Sequence, residues 1–101
     1  MNANGWSVWI SARASENSKK LAKIFYKQSQ LFNLTGNRSI SSNKYQVANF
    51  AITTKTNCPA VLTENMFQDN KKDVEFLLSE EGKNIITKLH VNAINEYFMS
   101  I

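Results

Sequence analysis

A chain of 101 residues, 43% hydrophobic and 20% charged, holds enough apolar material for one small core and is too short for several, so disorder and a multidomain layout are set aside. The formal net charge of +4 is mild; it suits an anionic partner such as a cell-wall polymer or nucleic acid, and equally it serves solubility. A single cysteine excludes an intramolecular disulfide, and no apolar run approaches the ~20 residues of a membrane span.

Residues 1–5 have neither a basic start nor an apolar core, so the chain as written shows no signal peptide. Trp6, Val8, Trp9 and Ile10 give residues 6–10 high strand propensity, with turns on either side. Two tryptophans three positions apart on a strand face opposite sides, which favours packing over a sugar-stacking platform. Ser15 is the N-cap candidate for a helix over 15–31, with Ser18 competing, and Glu16 sits near the positive end of its dipole. Leu21, Ile24, Phe25, Gln28, Leu31 and Phe32 follow the spacing of one helix face. Lys19, Lys20, Lys23 and Lys27 fill mainly the remainder. They are spread out and not interleaved with stacking aromatics, so they read as a solvated face and not as a nucleic-acid surface.

Residues 33–43 form a polar stretch, read as a long loop, in which Arg38 stands alone. Residues 49–53 carry strand propensity at Phe50 and Ile52 and could alternatively make a helical turn. Pro59 cannot donate to a sheet ladder and is best placed at a strand's first residue. Ala60, Val61 and Leu62 then make an apolar run suited to a central strand covered on both faces. Glu64 follows where such a strand emerges at its carboxyl end, the edge at which open α/β sheets bind ligands. Cys58, at the strand's entrance, reads as a buried, inert thiol.

Asp69 and Asn70 offer a cap for a helix over 72–79, with Val74, Leu77 and Leu78 turned inward. Gly82 or the acidic pair before it interrupts the helical pattern. A last helix over 83–99 presents Ile86, Leu89, Ala93 and Tyr97, with Ile85, Ile94 and Phe98 widening the apolar side. His90, the only histidine, lies on that helix's inner flank and reads as a packed structural residue. The fold expected is α/β, a sheet covered by helices. The N-terminal strand would lie toward an unprotected sheet edge, which predicts a dimer or other self-association.

The run Pro59-Ala60-Val61-Leu62-Thr63-Glu64-Asn65-Met66-Phe67, followed by Asp69-Asn70, resembles the last catalytic motif of the zinc-dependent N-acetylmuramoyl-L-alanine amidases, which cleave peptidoglycan. Residues 73–78 and 85–97 look like that family's closing helices, and Gly5-Trp6-Ser7-Val8-Trp9 looks like its strand just after the zinc ligands. The resemblance makes residues 1–101 one domain that corresponds to the C-terminal part of the catalytic domain. It makes Glu64 the general acid/base beside the metal and Arg38, through a looser match, a substrate contact. It implies peptidoglycan as partner and the cell envelope or exterior as location. The family's ligands, two histidines and a glutamate, would fall ahead of Met1. The chain is therefore expected to hold no zinc alone and to have little activity, its partner being the missing N-terminal half or a second copy of itself. The alternative is a non-catalytic wall-binding or structural module built on the same fold.

Overall fold

Seven elements run in the order β1 (Ser7–Ile10), α1 (Glu16–Leu31), β2 (Gln46–Val47), α2 (Ala51–Thr54), β3 (Leu62–Glu64), α3 (Lys71–Leu78) and α4 (Glu80–Met99). They come from a computed structural model that describes residues 3–34, 36, 44–55 and 57–101. The strands form one sheet in the order β2-β1-β3. β1 runs parallel to β2, with Trp9 opposite Gln46, and antiparallel to β3, with Ser7 opposite Glu64, Val8 opposite Thr63 and Trp9 opposite Leu62.

Side chains alternate across a sheet, so this register sorts residues onto two faces. Val8 and Thr63 share one face, Ser7, Trp9, Leu62 and Glu64 the other. The Val8 face is the core side: α1 packs on β1, and α4 packs antiparallel against α1. Trp6, Val8 and Ile10 are buried there with Phe25 of α1 and Leu89 and Ala93 of α4. The Trp6 and Phe25 rings stack with centroids 6.2 Å apart and planes 13° from parallel, an arrangement that adds about 0.5–1.5 kcal/mol to the area it buries. On the opposite face Trp9 is met edge-on by Phe50, and its indole N–H donates to Ser7 Oγ at 2.9 Å. The two tryptophans thus lie on opposite sides, as their spacing requires.

Several local rules explain the boundaries. Ser15 caps α1, its Oγ accepting the Ser18 N–H at 3.1 Å. The helix ends where Asn33 turns left-handed (φ 59°), a conformation asparagine tolerates better than most residues. The Leu34 N–H then bonds back to Ser29 O, while Leu34 O receives the Trp6 N–H at 2.7 Å. The end of α1 is thereby tied to the start of β1. Across the α1–α4 seam Lys27 pairs with Glu96, and this hydrogen bond holds the Glu96 carboxyl below its ordinary pKa.

The structure departs from the sequence expectations at several points. β1, not the stretch after Pro59, is the central strand, and β3 lies at the sheet's margin among the described residues. Its pairing begins only at Leu62, and all three of its residues are half-buried. Pro59 and Cys58 fall in the preceding loop, so the Cys58 thiol is exposed and not buried. The unprotected edge expected at the N-terminal strand is not there, because β1 is paired on both sides. Of the two readings of residues 49–53 the helical turn holds, as α2 at Ala51–Thr54, and the short strand lies earlier, at Gln46–Val47. Leu78 is 71% exposed and Phe98 64% exposed, so neither widens the core.

The last helix begins at Glu80, earlier than periodicity indicates, because Ser79 ends α3 and caps α4 at once. Its Oγ donates to Phe76 O at 2.6 Å and accepts the Gly82 N–H at 2.9 Å. Glu80 and Glu81 suit the first turn through the dipole and do not break the helix. Gly82 is buried at this joint, where a Cβ would overlap the Phe76 carbonyl. Gly82→Ala gains roughly 1 kcal/mol of helix propensity but must push the α3 backbone away, at a cost of about 1–3 kcal/mol for such overpacking. A carbonyl in a capped turn cannot swing aside like the end of a side chain. The substitution is therefore expected to lower the urea midpoint; a raised midpoint would show that the joint is loose.

Candidate active site at the end of β3

Three residues around Glu64 are each fastened to a different part of the fold. Thr63, one position before it, points to the core side, where its Oγ1 meets His90 Nε2 of α4 at 3.0 Å. His90 Nδ1 lies 2.8 Å from Ile86 O. A carbonyl only accepts, so Nδ1 carries the hydrogen, and in the neutral ring Nε2 accepts from the Thr63 hydroxyl. His90 also meets the Phe25 ring edge-on at 5.3 Å. It is the packed structural residue that its flank position indicated, although the fold brings it beside the residue preceding Glu64.

Asn65, one position after Glu64, lies just past the last paired residue of β3. Its Oδ1 accepts the Trp6 indole N–H at 2.8 Å. The chain then leaves the sheet abruptly: Met66 has φ 73°, and its N–H turns back to Glu64 O at 3.2 Å. A non-glycine residue in this region costs on the order of 1 kcal/mol or more and persists only where its surroundings hold it. Here the holding group is Asp73, 6% exposed, whose Oδ2 accepts the N–H groups of Phe67 and Gly5 at 2.9 Å each. Asn70 caps α3 by accepting the Asp73 N–H and also donates to Ala3 O at 3.0 Å.

Glu64 itself lies on the sheet face away from α1 and α4. It lines a hollow of about 610 Å³ with Asn65, Met66, Phe67, Gln68, Asp69 and Leu77. Its carboxylate makes no ion pair among the described residues. An accessible, unpaired carboxylate at the carboxyl end of a strand can exchange protons with a bound water or leaving group. Arg38 lies outside the described residues. Among those described, no three His, Cys, Asp or Glu side chains converge to hold a metal. His90 Nε2 faces the core side of the sheet and Glu64 the other, so the two cannot share an ion.

The fold is that of an α/β amidase domain. The family model described as Amidase_3, N-acetylmuramoyl-L-alanine amidase, matches residues 1–96, and the chain belongs to that family. Comparison with curated proteins gives no match. Among solved structures, the chain is similar to the N-acetylmuramyl-L-alanine amidase Ami1 from Mycobacterium smegmatis, with a TM-score of 0.87 at 20% identity over 97% of this chain and 48% of that one. Ami1 from Mycobacterium abscessus gives 0.84 at 23% identity, over 94% and 48%. The catalytic domain of CwlV, an N-acetylmuramoyl-L-alanine amidase from Bacillus (Paenibacillus) polymyxa var. colistinus, gives 0.77 at 25% identity, over 95% and 49%. The chain thus spans about half the length of the solved structures it matches.

Sequence reading located Glu64 and His90 but gave no part to Thr63, Asn65 or Asp73. Only Asp73 left a local sign: three residues after Asn70, it completes the spacing of a capped first helical turn. Thr63→Val tests the fastening ahead of Glu64. It keeps the side chain's shape and removes the hydroxyl, leaving His90 Nε2 unsatisfied at a cost of about 1–3 kcal/mol. A matching fall in urea-unfolding free energy is expected; no change would mean that water replaces the hydroxyl.

Proposed function

We propose that the chain is the C-terminal part of a peptidoglycan amidase domain, in which Glu64 is the general acid/base for hydrolysis of the amide between N-acetylmuramic acid and L-alanine. In this reading the Glu64 carboxylate takes a proton from the attacking water. The water oxygen forms the new bond to the carbonyl carbon, and the proton passes to the alanine nitrogen as the carbon–nitrogen bond breaks. The second water proton leaves the new carboxyl group for the amine, so muramic carboxylate and peptide ammonium result and the Glu64 carboxylate is restored. The observation that carries this reading is the position of Glu64: at the end of β3, open to a hollow and without an ion-pair partner among the described residues.

Zinc dependence is a property of the family, and a catalytic zinc site takes three protein ligands of the His and carboxylate type. The donor set described above does not fit that requirement. We assign the ligands to the other half of the domain, whether in the same polypeptide or in another. Arg38 is proposed as a substrate contact, peptidoglycan as the partner and the cell envelope or exterior as the place of action.

The test uses the complete domain, formed with that other half and loaded with zinc, on purified peptidoglycan. Glu64→Ala is expected to retain zinc and lose about a hundredfold or more of the hydrolysis rate, the usual contribution of a general acid/base. A Glu64→Ala domain that hydrolyses wall at the parent rate would overturn the assignment. Adsorption to wall without hydrolysis by the complete zinc-loaded domain would instead mark a binding module.

A further inference from the structure

We infer that Asp73 is a positioning residue for Glu64: its buried carboxylate serves as the last rung of the β1–β3 ladder and fixes the strand end from which Glu64 projects. The inference rests on the proposed role of Glu64 and adds a residue on a different element to the same site.

The β1–β3 pairs run through Trp9 with Leu62, Val8 with Thr63, and Ser7 with Glu64. Carried one step further, the register sets Trp6 against Asn65, and those two are joined through their side chains. One step beyond, Gly5 would face Met66, but the backbone of Met66 is left-handed and has turned away from the sheet. The ladder cannot continue between backbones there. Asp73 supplies what is missing, since a single oxygen, Oδ2, takes both the Gly5 N–H and the Phe67 N–H at 2.9 Å. Gly5 precedes the central strand, and Phe67 lies on the loop that lines the Glu64 hollow.

A role confined to helix α3 does not explain this arrangement. An acidic residue in the first turn gains from the dipole wherever its carboxylate points. Here the carboxylate is buried and turned onto two N–H groups outside its own helix, 68 and 6 residues away in sequence. A carboxylate accepting from backbone N–H groups makes hydrogen bonds roughly twice as strong as neutral ones. The neighbouring Asn70 adds a second link between the start of α3 and Ala3. The strained Met66, two residues after Glu64, is thus held between the ladder and the Asp73 clamp. Without the clamp, Met66 would relax and the Glu64 side chain would lose its fixed origin.

The test compares Asp73→Ala, Asp73→Asn and Glu64→Ala in the complete zinc-loaded domain on peptidoglycan, with rates divided by the folded fraction. Asparagine keeps a carbonyl oxygen where Oδ2 stands; alanine does not. Asp73→Ala is expected to lower kcat about tenfold to a hundredfold with KM nearly unchanged, the penalty for a misplaced catalytic group, and Asp73→Asn to recover most of the loss. Equal loss in both Asp73 variants, or a fall no larger than the loss of folded protein, would overturn the positioning role while Glu64→Ala remains inactive. If Glu64→Ala is active, the assignment of Glu64 fails and the positioning role with it. Amide hydrogen exchange on the unsubstituted domain needs no variant to fold. The Phe67 amide should be protected to the level of the β3 amides, and exchange at the rate of an open loop would overturn the clamp.

Discussion

The antiparallel pairing of β1 with β3 is the constraint on which the site depends. β3 is three residues long, and so short a strand has little stability of its own. What holds it is β1, a central strand buried on its core side by α1 and flanked by a partner on each edge. The register of that pairing sends Thr63 to the helix side and Glu64 to the other. A slip of one residue would reverse both, burying a carboxylate among Val8, Phe25 and Leu89. The hydrophobic demands of β1 therefore decide where the acidic group of β3 emerges.

The carboxyl half of β3 is fastened by polar contacts that the apolar core cannot supply. Thr63 and His90 join the strand to α4, Asn65 and Trp6 join it to β1, and Asp73 closes the turn beyond. These bonds are directional, and each buried partner would be costly to leave unsatisfied. The residue between them, Glu64, is left facing the hollow. An active-site group needs that combination: a rigid backbone origin and a side chain free to meet substrate.

Much of this was legible in the chain. The β1 run, the α1 cap at Ser15 and the burial of Leu89, Ala93 and Tyr97 on α4 are local patterns, and each appears where its pattern places it. The central position given to the Pro59–Glu64 stretch was wrong because an apolar run reports burial, not neighbours; Trp6 to Ile10 carries as much apolar bulk and wins the middle of the sheet. Gly82 or the acidic pair before it was read as a break because the close approach of the Phe76 carbonyl to Gly82 is not visible in a one-dimensional pattern. The Asp73 clamp spans 68 residues, a separation at which no spacing rule operates. Arg38 falls outside the described residues, and its part in substrate contact stands on the resemblance alone.

The most direct measurement of the account is the cross-strand proton contact between Ser7 and Glu64 by NMR, in the complete domain, together with the solvent protection of the Trp6 indole N–H. A close contact between those two backbones, with a protected indole proton, is the result expected of a strand held in this register. A contact from Ser7 to Thr63 or Asn65 instead, or an indole proton exchanging freely, would place the Glu64 carboxylate elsewhere and contradict the site built upon it.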